Sequence, residues 1–372
     1  MEKIIIMFKN IYKGKKVLVT GHTGFKGSWM CSWLIELGAD VYGYSNEIPS
    51  SPSHFEELNL KKKMTSIFGD VRDYDSFKSF LDFHKPEVVF HLAAQPIVRL
   101  AYSNPLDTIN TNVMGVANIL EITRTVNYIN SLIIITSDKC YENVEWTYGY
   151  RENDRVGGED PYSASKGAAE IIASTYMRSY FKDDRVFVAT VRAGNVIGGG
   201  DWAKDRLIPD AVKSLSNNES LTIRNPLATR PWQHVLEPLS GYLQIGAELI
   251  LKNVKCKNQS FNFGPDSTIN KTVDEVLTEM SKSWKSVKWE TLKLKDNPKE
   301  AGLLKLSCDK AQHTINWFPT LTFEETLEFT MSWYKDFYSL NSKFNATDYT
   351  NDQIKKYVDK AKNKGILWST QN

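Results

Sequence analysis

The chain has 372 residues, material for two to three domains at roughly 150 residues each and enough to bury a large core without disulfide or metal staples. A hydrophobic fraction of 41% with a charged fraction of 24% excludes a largely disordered chain. Forty-six Lys and Arg against 44 Asp and Glu leave a formal charge of +2, which removes the electrostatic case for a nucleic-acid binder.

The apolar run Ile4–Phe8 is too short to span a membrane, and Lys9 and Lys13 to Lys16 come after it without a small-residue cleavage site. Next comes Lys16–Thr20, which reads as a buried strand, then glycines and a helix through Trp29–Leu37 closed by Gly38. Further strands are expected at Asp40–Tyr44, Ser66–Asp70, Glu87–Leu92, Ser131–Ser137 and Arg185–Arg192. Runs this apolar, separated by helical stretches, belong in a parallel sheet covered on both faces. The first half is therefore α/β and doubly wound. After Asn195 the pattern loosens: Gly198–Asp201 reads as a flexible junction, and Pro209, Pro226, Pro231 and Pro238 punctuate the next forty residues or so. Short strands at Ser260–Phe263 and Ser286–Glu290, with helices at Val273–Lys285 and Phe323–Tyr338, predict a smaller α+β domain over the sheet's C-terminal edge. The expected division is a sheet domain over 14–194, with 231–258 packing back on it, a substrate domain from 195–230 and 259–340, and a polar tail over 341–372 carrying a surface helix near Asp352–Lys364. Cys31, Cys140, Cys256 and Cys308 stand far apart and, with six scattered histidines, offer no zinc-type spacing. The expectation is a cytoplasmic protein with reduced cysteines and no metal.

Gly21-His22-Thr23-Gly24-Phe25-Lys26-Gly27 lies between the first strand and the first helix. The first glycine permits a tight turn, the second a close approach to pyrophosphate, the third close helix–strand packing, and the helix N-terminus favours the anion. A lone motif of this kind would also suit an ordinary βα turn; its place after a strand favours a Rossmann-type dinucleotide site. Asp70 and Val71 after the third strand, and Leu92-Ala93-Ala94 after the fourth, fit the adenine edge and the cofactor's path. The second strand ends in Tyr44-Ser45-Asn46, with neither an acid for the adenosine ribose nor an arginine for a 2′-phosphate, so the residues favour NAD over NADP only weakly.

Tyr162 and Lys166 stand four apart, on one face of a helix, where the ammonium would favour phenolate and lower the tyrosine pKa. Ser137, Asp138 and Lys139 end the fifth strand, where open α/β sheets bind ligands. On these segments, and on Arg192–Trp202, Arg230–Val235, Phe261–Pro265, Glu300-Ala301 and Leu304–Leu306, the chain resembles the extended short-chain dehydrogenase/reductases that dehydrate nucleotide sugars, and within them the CDP-glucose branch. The resemblance runs from Lys16 to about Tyr334.

It implies bound NAD, a nucleotide-sugar substrate and a homodimer or dimer of dimers formed through helices that include the one carrying Tyr162. It implies that Tyr162 takes the proton of the sugar 4-hydroxyl, that Ser137 holds that oxygen, and that Lys166 holds Tyr162 and the nicotinamide ribose. Asp138, if protonated, expels the 6-hydroxyl as water, and the product is a 4-keto-6-deoxy sugar. Lys139 stands where other branches carry a glutamate base; it is either the C5 base or a residue that orients Asp138. Gln95, Arg99, Asn195, Arg206, Arg230 and His234 are expected at the substrate, with Arg206 and Arg230 on its diphosphate. Trp202, Trp232 and His234 suit either the nucleotide pocket or the core. The alternatives are a sugar-nucleotide 4-epimerase, which needs no acid such as Asp138, a dehydratase of TDP-glucose or GDP-mannose, and a non-catalytic dinucleotide-binding scaffold.

Overall fold

The computed structural model describes residues 7–223, 225–266, 269–284, 288–291 and 302–370. The expected Ile4–Ile6 run, Ser286 and the Glu300-Ala301 match lie outside them. The chain opens β1(Lys16–Thr20), α1(Phe25–Glu36), β2(Asp40–Ser45), β3(Thr65–Phe68), α2(Tyr74–His84), β4(Val88–His91) and α3(Gly115–Thr125). It continues with β5(Ser131–Ile135), α4(Pro161–Ser179), β6(Phe187–Ala193), α5(Leu207–Asn217), α6(Leu236–Ile250), β7(Gln259–Phe263), α7(Val273–Ser283), α8(Phe323–Leu340) and α9(Ala346–Asn363). The seven labelled strands form one parallel sheet in the order β7-β6-β5-β4-β1-β2-β3. The order reverses between β1 and β4, and a crevice opens there at the strands' C-terminal ends.

Because side chains alternate along a strand, each strand feeds two cores. Val17, Val19, Phe90, Ile133 and Val191 face α1 and α6, together with Trp29 and Leu243. Leu18, Val89, Leu132, Ile134 and Val188 face α2, α3 and α4 through Phe77, Ile119 and Ala173. Continuous apolar runs in the sequence are the imprint of burial on both sides.

Three expectations need correction. Ser260–Phe263 is not a strand of the substrate domain: β7 pairs in parallel with β6, from Gln259 opposite Ala189 to Phe263 opposite Ala193, and completes the main sheet. The unpaired edge of β6 is what receives it. Second, the stretch after Asn341 is no polar tail. α9 turns Ile354, Tyr357, Val358 and Ala361 into the core, and Trp368 stacks on Phe8 at 5.1 Å. Tyr357 donates to the buried Glu237 of α6 at 2.8 Å. Third, Gly198–Asp201 is a packed elbow. A Cβ on Gly199 would meet the Trp333 ring at 2.0 Å, Gly200 has φ +84°, and Trp29 Nε1 donates to the Gly199 carbonyl at 2.9 Å.

The second lobe carries α5, α7 and three two-stranded pairs: Val196–Ile197 with Gln233–His234, Thr229–Arg230 with Lys271–Thr272, and Leu221–Ile223 with Trp289–Thr291.

Candidate active site

The turn from β1 into α1 is closed by backbone alone. Gly21 has φ +71°, and a Cβ there would meet Ala93 N at 2.9 Å. A Cβ on Gly27 would lie 2.1 Å from the Gly21 carbonyl oxygen, so α1 can start this close to β1 only with glycine. Gly24 is the N-cap, without a side-chain cap and without an acid in the first turn. Open N–H groups at a helix N-terminus, a cradle without side chains and no competing carboxylate fit a pyrophosphate. Thr23 Oγ1 donates to the Glu47 carbonyl at 2.5 Å and ties the turn to the end of β2. Phe25 opens the helix beside Gly198, and Ala93 N donates to Thr20 Oγ1 at 3.1 Å, holding the Leu92-Ala93-Ala94 stretch against the glycine turn. Asp70, just past β3, accepts from Arg72 N at 2.9 Å and Nε at 2.8 Å; Val71 packs on Gly115.

The catalytic candidates meet across the same edge. A short turn over Asp138–Cys140 leaves β5, with Ser137 as its cap: Ser137 Oγ donates to Asp138 Oδ1 at 2.9 Å and accepts from Lys139 N at 3.2 Å. Helix α4 brings Tyr162 and Lys166 from the other side; the Lys166 ammonium lies 5.9 Å from the centre of the Tyr162 ring. Asp160 caps this helix through the Ser163 amide, with Pro161 at its first position. Asp138 is buried and its Oδ2 has no hydrogen-bond partner among the described residues; burial raises its pKa, while Lys139 and Arg230 pull it back. Such a carboxyl is held toward its protonated form. The expectation of a lowered tyrosine pKa is not met. Burial pushes Tyr162 up to about 12, against a hydrogen bond with Ser137, and pushes Lys166 down to about 8. Both move toward their neutral forms because desolvation outweighs the groups that favour charge, Ser137 and Arg206 for Tyr162 and Cys140 and Glu170 for Lys166.

Some substrate candidates converge here and others do not. Arg230 is buried close enough to Asp138 for its charge to act there. Arg206 pairs with Asp201 at 3.1 Å and Arg99 with Asp205 at 2.8 Å. Asn195, just past β6, accepts from Gln233 N through its carbonyl at 3.2 Å. Gln95 is committed locally: its Nε2 donates to Thr108 at 2.8 Å and its Oε1 accepts from Ile97 N. His234 belongs to the core. It is 0% exposed, its ring packs on Trp29 and Phe329, and burial lowers its pKa to about 3. Trp232 is a core residue as well, bonded to the Lys271 carbonyl, while Trp202 is half-buried against the core, packed on Trp333.

Two supporting groups carry no motif. Asn112, in a π-helical turn over Asn110–Met114, accepts from Gln95 N at 2.8 Å and donates to Ser165 Oγ at 2.9 Å, bracing α4 between Tyr162 and Lys166. Glu170, one turn beyond Lys166, accepts from Thr136, from Thr190 at 2.8 Å and from Arg192 at 2.7 Å. Arg192 NH1 donates in turn to Tyr141 at 2.7 Å, so one buried network spans α4, β6 and both ends of the Ser137–Cys140 turn. The spacing from Lys166 and the buried arginine in an apolar strand were the available signals.

With this geometry in view, the profile of the GDP-mannose 4,6 dehydratase family matches residues 18–330. The chain belongs to this family. The CDP-glucose 4,6-dehydratase of Salmonella typhimurium is 48% identical over 332 residues, 88% of this chain and 92% of that protein. The dTDP-D-glucose 4,6-dehydratase of Homo sapiens is 23% identical over 335 residues, 87% and 90% of the two chains. Among solved structures, an epimerase from Methanothermobacter thermautotrophicus superposes with a TM-score of 0.75 at 23% identity, covering 91% and 97%. The dTDP-glucose 4,6-dehydratase of Bacillus anthracis, in complex with NAD, does so with a TM-score of 0.71 at 21% identity, covering 87% and 97%. The family's fold is thus the parallel sheet and glycine cradle described above.

Proposed function

We propose that the chain catalyses the NAD-dependent 4,6-dehydration of CDP-glucose to CDP-4-keto-6-deoxyglucose and water. The similarity to the Salmonella typhimurium enzyme supports the nucleotide. The observation that carries the chemistry is Asp138, a buried carboxyl beside Ser137 whose Oδ2 has no partner among the described residues, in the cleft that holds Tyr162 and Lys166. Epimerisation at C4 needs the last three and has no task for such an acid.

NAD held at the glycine cradle by Gly21, Thr23, Gly24, Phe25, Lys26 and Gly27 would supply the acceptor, and later the donor, of a hydride. Tyr162 receives the proton of the 4-hydroxyl, with the Lys166 ammonium favouring its phenolate and Ser137 fixing the oxygen. The 4-ketone acidifies the C5 hydrogen, which Lys139 or a neighbouring base removes. Asp138 gives its proton to the departing 6-hydroxyl; the C5–C6 double bond is then saturated by a proton returned to C5 from the base that removed it, or from solvent, and by the hydride that bound NAD would supply at C6. Arg230 and Arg206 receive the diphosphate, Arg206 by exchanging Asp201 for phosphate. Residues 195–230 and the second-lobe part of 264–340 bind the nucleotide sugar.

The helical stretch 98–114 and α4, which pack on each other, expose Leu100, Leu106, Ile109, Met114 and Ile171, and we assign these to a homodimer contact. Among the described residues no helix is long and apolar enough to cross a membrane. Four free, buried cysteines suit a reducing compartment such as the cytoplasm.

The test is mass spectrometry after incubation with NAD in deuterated water and, separately, CDP-glucose, TDP-glucose, UDP-glucose or GDP-mannose. The expected result is loss of one water from CDP-glucose alone with one deuterium gained. Water loss from another nucleotide sugar would keep the mechanism and discard CDP; an unchanged mass in every arm would overturn the dehydratase reading.

A further inference from the structure

Asn262 stands on β7 opposite Arg192 of β6 and is 0% exposed. Its amide joins three separate stretches of chain, none of them at the reacting groups themselves. Oδ1 accepts from the Tyr141 phenol at 2.7 Å, and Nδ2 donates to the Tyr150 carbonyl at 2.8 Å and to the Ser307 carbonyl at 3.0 Å. The orientation of this amide is forced. Arg192 NH1 donates to the Tyr141 oxygen at 2.7 Å, and a guanidinium cannot accept, so the phenol's own proton goes to Asn262. The amide nitrogen is left for the two carbonyls.

Each stretch leads to a part of the cleft. Tyr141 is the C-terminal cap of the turn that carries Asp138. Tyr150 N donates to the Lys305 carbonyl at 2.9 Å and Ser307 N to the Tyr150 carbonyl at 2.9 Å, so residues 305–307 run alongside Tyr150. A few residues earlier the Gly302 carbonyl accepts from Thr229 N at 3.3 Å and Thr229 Oγ1 at 3.1 Å, next to Arg230. The acid and the Arg230-Pro231 link meet again at Gly194, where a Cβ would lie 2.9 Å from Asp138 Oδ2 and 3.1 Å from Pro231 Cγ. Asn262 thus closes a ring of contacts between the acid turn and the strand that carries Arg230. Helix α4, with Tyr162 and Lys166, is braced separately through Asn112 and Glu170, and none of their bonds goes to Asn262. We propose that Asn262 is a positioning residue for the elimination step: it keeps the acid turn in register with the diphosphate-binding lobe, so that Asp138 meets the 6-hydroxyl. The proposal rests on the dehydratase reading above. Oxidation at C4 belongs to Tyr162 and Lys166, so loss of the Asn262 amide should separate the two steps.

The experiment is rapid mixing of NAD-loaded protein with CDP-glucose, with NADH followed by absorbance and water loss by mass, for the wild type, Asn262→Leu and Tyr141→Phe. Leucine keeps the volume and removes all three bonds; Tyr141→Phe removes only the tie to the acid turn. In both variants NADH should form at the wild-type rate and persist. Water loss should slow about 10²-fold, the cost of an ångström-scale misplacement of a reacting group. Both steps slowed alike, or neither slowed, in a variant that still melts cooperatively would leave Asn262 a purely structural residue and overturn the proposal. Should melting curves show that Asn262→Leu does not fold, Tyr141→Phe decides, since there Asn262 keeps its bonds to Tyr150 and Ser307. A wild type that loses no water from CDP-glucose would instead strike down the dehydratase reading itself, and the proposal with it.

Discussion

Glu170 and Arg192 form the most deeply buried ion pair among the described residues, with side chains 3% and 4% exposed and 2.7 Å apart. Glu170→Gln removes the charge that answers the guanidinium, keeps the shape, and leaves an amide to accept what a carboxylate accepted three ways. Losing one partner of a buried pair costs about 3–5 kcal/mol, because the remaining charge is left unpaired out of water. The retained carbonyl of Gln places the expectation at the lower end, about 3 kcal/mol. Arg192→Met should cost a similar amount, since Tyr141 and the Glu152 carbonyl lose their donor. The double variant should cost less than the sum, with a coupling of about 2 kcal/mol. Urea denaturation of the four proteins, read as midpoint times slope, measures this directly. The sign with pH comes from the carboxylate. Burial pushes its folded pKa up, but Arg192, Thr136 and Thr190 together pull it further down, and the net shift is a lowering. The pair's contribution is therefore present above the unfolded value of about 4.3 and is lost as pH falls through the folded value. Glu170→Gln should lack that loss. Single variants within about 1 kcal/mol of wild type, or strict additivity, would refute the argument that the pair is both buried and mutually dependent.

The same geometry sets further expectations. Tyr162→Phe keeps the packing of a buried ring and removes the proton acceptor, so turnover should fall about 10²–10⁴-fold with an unchanged melting curve, checked by coupled product assay. Asp138→Asn should still form NADH on mixing with substrate yet release little water-loss product; normal product formation would dismiss it as the acid. Gly27→Ala drives a methyl group toward the Gly21 carbonyl at 2.1 Å, and both NAD affinity and stability should drop together in titration and thermal melts. Deleting residues 346–372 exposes the core under Trp33 and Glu237 and should give insoluble protein in a solubility assay; a soluble, folded product would contradict the packing of α9.

Much of the fold is legible from the chain alone because burial on two faces writes itself into sequence: Val17-Leu18-Val19 and Leu132 to Ile135 can be little else than central strands. Gly21, Gly24 and Gly27, and Tyr162 with Lys166, are legible because their roles depend on local spacing. What escapes is long-range. Nothing in Gln259–Phe263 says that its partner is β6, some 65 residues earlier, since strand pairing across a domain leaves no local trace. The α9 stripe of Ile354, Tyr357, Val358 and Ala361 has helical spacing, but a Lys-rich setting disguises it. Asn112 and Glu170 are single polar residues whose meaning emerges only once Ser165, Thr136 and Arg192 are brought beside them. His234 misleads because its neighbours Arg230 and Trp232 carry the resemblance while its own ring turns inward.

The return of the chain to the main sheet at β7 has a consequence for anyone wishing to recombine these proteins. The second lobe is inserted between β6 and β7 and again after β7, so the polypeptide crosses the boundary repeatedly. No single cut separates a folded cofactor half from a folded sugar half, and a chimaera made by one crossover would inherit a sheet with a foreign edge. Specificity in this architecture is therefore exchanged loop by loop at the cleft, and whole-lobe grafting would have to carry β7 and α9 along with it.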